Sequence, residues 1–84
     1  MRGVAEMKKK DLSETNAEAI LAFANGDMRI YKAAKIMCVV PFDISYHLDR
    51  VKKITGLDPR KFYDLVRLVP MARKIVGGID DGQT

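Results

Sequence analysis

Residues 28–56, MRIYKAAKIMCVVPFDISYHLDRVKKITG, read as two amphipathic helices joined by a tight turn. In the first half Ile30, Ala33, Ala34 and Met37 recur at i, i+3, i+4 and i+7, the spacing of one helical face, and the two alanines permit close approach of another helix. Arg29, Lys32 and Lys35 fall on the other side, because each residue advances the helix by about 100°. Met37, Cys38, Val39 and Val40 make the turn. Pro41 suits the first turn of a helix, where its missing N–H is not needed, and it pushes Val40 towards extended backbone. The second helix is therefore expected from about Pro41 to Thr55, with Gly56 as its C-terminal stop.

The second helix divides into two faces. Ile44, Leu48 and Val51 form a buried stripe flanked by His47 and Ile54, while Phe42, Tyr46, Asp49 and Lys53 project outwards. An outward Phe and Tyr one turn apart are unusual on a solvated surface and are the residues expected to report a partner. Cys38 stands where many such turns place glycine; it is expected to be a small packing residue rather than a redox centre.

Charge singles out the same stretch. Six basic residues (Arg29, Lys32, Lys35, Arg50, Lys52, Lys53) face two acids there (Asp43, Asp49), which accounts for the net charge of +4 of the whole chain. Helix, tight turn and helix with a localised cationic surplus is the footprint of a unit that docks on DNA.

Outward from this unit, Thr15 and Glu18 have capping-box spacing, with Asn16 as an alternative cap, for a helix running to about Asn25. Its apolar face is Ala17, Ile20, Leu21 and Ala24, and Asn25 and Gly26 end it, since both tolerate left-handed backbone. Asp27 can cap the helix that follows. Beyond Gly56, Asp58 is expected as a cap and Pro59 as the first residue of a last helix with Phe62, Leu65, Val66 and Val69 on its apolar face. Pro70 either kinks that helix or starts a separate turn through Ile75. The expectation is an all-α bundle of four helices, or five with a break at Pro70. Residues 14–76 form the domain, 1–13 a flexible basic arm and 77–84 a flexible tail. Lys8, Lys9 and Lys10 are either a solvated arm or a contact to phosphates.

Composition narrows the functions. With 48% apolar and 31% charged residues among 84, the chain reads as one soluble globular domain rather than a disordered one. Such a small core has a thin stability margin, which dimerisation would supplement. No apolar run approaches the roughly 20 residues of a membrane span, and a signal peptide is lacking, so a cytoplasmic location is expected. Cys38 is the only cysteine and His47 the only histidine, which excludes an intramolecular disulfide and a zinc site of clustered Cys and His. No nucleophile elbow, phosphate loop or dinucleotide fingerprint occurs. An enzyme, a cofactor and a small-molecule ligand are not expected.

The residues Ala33-Ala34-Lys35, Val39, Ile44, Tyr46, Leu48, Arg50, Val51 and Ile54-Thr55-Gly56-Leu57-Asp58 resemble the C-terminal helix-turn-helix domain of PucR-type regulators, the purine-catabolism and sugar-diacid regulator family. The family segment L-F-V-H-R-N-T-L-x-Y-R-L-x-R-I-x-x-L-T-G aligns without a gap on Met37 to Gly56, and Phe62, Asp64, Leu65, Leu68 and Ala72 look like its last helix. The resemblance implies a DNA-binding transcriptional regulator with a bundle related to that of the factor for inversion stimulation. The chain departs from the family at Val40-Pro41-Phe42-Asp43, which replaces H-R-N-T and so removes two bidentate readers of guanine and adenine.

Double-stranded DNA is thus the expected partner. Arg29, Lys32, Lys35, Arg50 and Lys53 are expected on phosphates. Phe42 could touch a thymine methyl, Ser45 could bond either base type and Asp43 could accept from a cytosine amino group, with Tyr46 and Asp49 on the same face. The alternative keeps the fold and makes Phe42 and Tyr46 the anchor for a protein partner or a second copy.

Overall fold

Ser13 starts the first helix. The computed structural model describes residues 12–77, and within them α1 spans Glu14–Asn25 with Ser13 as its cap, the Ser13 Oγ accepting from the Asn16 N–H at 3.0 Å. Thr15 and Asn16, expected as caps, lie inside the helix. Asn16 is buried there, and its side chain is engaged elsewhere. Lys8, Lys9 and Lys10 and residues 78–84 lie outside the described residues.

Helix α1 is the hub of the bundle. It packs against each of the other three helices, so more than one stripe is enclosed. Of the expected face, Ala17 and Ile20 are fully buried and Leu21 and Ala24 partly so; Ala19, Ala22 and Phe23 are buried as well. Its C-terminus corrects the assignment of the left-handed residue. Gly26 has φ −94°, whereas Asp27 (φ 60°) and Met28 (φ 59°) are left-handed. The Met28 N–H reaches the Phe23 carbonyl at 2.8 Å and the Asp27 N–H the Ala24 carbonyl at 3.3 Å, the paired bonds of a Schellman motif. Gly26 is there for space. A Cβ on it would lie 3.0 Å from the Ala22 carbonyl oxygen, the Ala33 nitrogen and the Lys32 Cβ, so its absence lets α1 meet the next helix.

That helix, α2, spans Ile30–Met37 with Arg29 at its N-cap. Asp27, expected as the cap, is instead consumed by the preceding turn, and its carboxylate accepts from Lys32 Nζ at 3.1 Å. Cys38 ends α2 in left-handed backbone (φ 59°, ψ 44°), its N–H and that of Val39 closing on Lys35 and Ala34 carbonyls in a second Schellman motif. Its side chain is exposed, which overturns the expectation of a packing residue. Helix α3 then runs Pro41–Thr55 from an extended Val40 to a left-handed Gly56 (φ 81°), with Ile44, Leu48 and Val51 buried as the periodicity requires.

The last helix, α4, spans Phe62–Gly77 and begins later than expected. Asp58 caps a turn rather than the helix: its Oδ1 accepts from the Arg60 N–H, and its own N–H donates to Asp64 Oδ2, both at 3.0 Å. Pro59 is buried within that turn. Pro70 sits inside α4 without dividing it. The carbonyl it leaves unbonded is that of Val66, an exposed residue, so water can take the bond. The buried face is Leu65, Leu68 and Ala72, while Phe62 and Val66 are more than half exposed. Among the described helices α4 packs only against α1, and one partner can cover only a narrow stripe.

One core joins the four helices. Leu12, Ile20, Phe23, Ile44, Leu48, Val51, Leu65 and Leu68 are its larger members, and Ala17, Ala33, Ala34 and Ala72 set the close helix approaches. Leu12, just before the capping Ser13, is buried in this core.

Candidate nucleic-acid interface

Helix α2, the left-handed Cys38 and α3 form the helix, turn and helix read from the sequence, with α2 and α3 in contact through the core. Their buried residues fix the rotation of both helices, and everything cationic faces away from the core. Arg29, Lys32 and Lys35 on α2, and Arg50, Lys52 and Lys53 on α3, are all exposed. Phe42 (75% exposed), Tyr46 (53%) and Asp49 share the outer face of α3, as their spacing requires. Asp43 and Ser45 are half-buried at the N-terminal half of the same helix. As an acid in the first turn, Asp43 also complements the positive end of the helix dipole.

The ion pairs redistribute the charge. Arg60 Nη1 donates to Asp49 Oδ1 at 2.9 Å, so a residue that would repel phosphates is neutralised by a guanidinium from the α3–α4 turn. Lys52 lies 3.9 Å from Asp58, and Lys32 is held by Asp27 at 3.1 Å. Arg29, Lys35, Arg50 and Lys53 have no acidic partner among the described residues. Exposed pairs of this kind contribute little to stability, roughly 0–1 kcal/mol each, so Lys32 remains available to another anion.

A residue pair not anticipated from the sequence supports α3 from behind. His47 Nδ1 and Asn16 Oδ1 lie 3.1 Å apart, joining α1 to the flank of α3, and the Tyr46 ring meets the His47 ring edge-on at 5.4 Å. Asn16 and His47 are 31 residues apart, and Asp49 and Arg60 are 11 apart in different elements, so no periodicity pairs them. Among the described residues there is no group of three or more His, Cys, Asp or Glu placed to hold a metal ion, and no helix is long and apolar enough to cross a membrane. Compared with protein-family models, curated proteins and solved structures, the chain matches none.

Proposed function

We propose that the protein binds double-stranded DNA through α2 and α3 and acts as a transcriptional regulator of the kind its PucR-type resemblance implies. The observation that carries the reading is the common exposure of Arg29, Lys35, Arg50 and Lys53, unpaired among the described residues and set on two packed helices. In this reading α3 lies in the major groove. Lys32 joins the four free cations on phosphates, while Phe42, Asp43, Ser45 and Tyr46 face base edges. Pairing of Asp49 with Arg60 removes a repulsive charge from the docking face. With Pro41 and Phe42 where the family's bidentate readers would stand, phosphate contacts supply most of the affinity.

The test is a titration of a labelled duplex against salt. Five phosphate contacts give a slope of log K against log salt of about −4 to −5, and K35E should flatten it by about one unit. A flat salt dependence overturns the proposal. The exposure of Phe42 and Tyr46 favours a second reading, a protein-docking module on the same fold. A doubly substituted F42A/Y46A chain that keeps the salt-dependent DNA affinity but loses a partner supports that reading.

A further inference from the structure

A second apolar surface runs along α4 and reaches the α1–α2 turn. Phe62 (59% exposed), Val66 (51%) and the half-buried Val69 run along α4, and with Met28 and Asp27 of the α1–α2 turn they line an open groove of about 410 Å³. Helix geometry continues the stripe: Phe62, Val66, Val69 and Arg73 fall within about 60° of one another around α4. It therefore reads, end to end, as an acid beside an aromatic ring, two valines, and a cation. Arg73 is exposed and has no acidic partner among the described residues, and Asp27 keeps a side chain 71% exposed despite its bond to Lys32.

That order is self-complementary. A two-fold axis midway between Val66 and Val69 sets α4 antiparallel to its copy, brings Val66 onto Val69, and places Arg73 of each copy over Phe62 and beside Asp27 of the other. The charges are opposite at both ends, and a guanidinium over Phe62 adds a cation–π contact. We propose that this face of α4 is the contact between two copies of the chain, a homodimer. The proposal stands independently of DNA binding, which its test does not use.

The test is the mass of the full chain in solution against concentration, by analytical ultracentrifugation, with circular dichroism confirming that each variant folds. Wild type is expected to pass from monomer to dimer, and V66E to weaken the dimer by about 30-fold or more. R73E and D27K should each weaken it by setting like charges together at both ends. A one-to-one mixture of the two single variants should form the dimer again, because each clash becomes an opposite pair. Wild type that stays monomeric to about 1 mM overturns the proposal. So does a dimer that survives V66E, or single variants that fail to recover on mixing.

Discussion

Cys38 occupies a backbone conformation that favours glycine, at φ 59° and ψ 44°, and gains nothing from burial because its side chain is exposed. Two effects of substitution can therefore be separated. C38G relieves left-handed strain and is expected to raise stability by about 0.5–1 kcal/mol after the added freedom of the unfolded chain is counted. C38V puts a β-branched side chain in the same conformation and should lower it by about 1 kcal/mol or more. Urea denaturation of both checks the sign of each change. Asp27 shows the complementary case, where a short polar side chain accepts the left-handed position that Gly26, directly after the end of α1 at Asn25, does not take. A glycine next to a helix end is a sound sequence signal for termination. Which neighbour turns left-handed depends on the packing around it.

At the scale of elements, the crossing of α1 and α2 rests on Gly26. G26A would drive a methyl group against backbone atoms of both helices at 3.0 Å, and neither the Ala22 carbonyl nor the Ala33 nitrogen is the end of a flexible chain. A loss of about 1–3 kcal/mol is expected, measured as a fall in the thermal midpoint. Helix α3 was legible almost to the residue because its signals are local: Pro41 at the start, Gly56 at the end and a buried stripe of Ile44, Leu48 and Val51 between them. The start of α4 was not, since Asp58 and Pro59 have the residue types of a helix entrance but spend them on a turn tied to Asp64. Its buried face was legible only in part: Leu65 is buried and Val69 partly so, but Phe62 and Val66 are exposed. Phe62, Leu65, Val66 and Val69 and Leu65, Leu68 and Ala72 are both valid helical stripes, and only the position of α1 chooses between them.

For the whole molecule, every helix contributes to one core, and Leu48 is among its largest fully buried side chains. L48A is expected to cost about 3 kcal/mol, a large share of the 5 kcal/mol or so available to a small domain, and to loosen all four helices together. Calorimetry and circular dichroism should then report a single transition at a lower midpoint. The sequence by itself determined the helical class, the helix-turn-helix and the outward placement of the cations, because periodicity, proline and glycine act over a few residues and small helices must hide their apolar stripes. The tertiary structure decided what depends on distant partners: that α1 is enclosed by three helices, that Asn16 meets His47, that Arg60 neutralises Asp49, and that α4 keeps an apolar edge uncovered. Those outcomes follow from which surfaces meet in space, and spacing along one element carries no record of its neighbour.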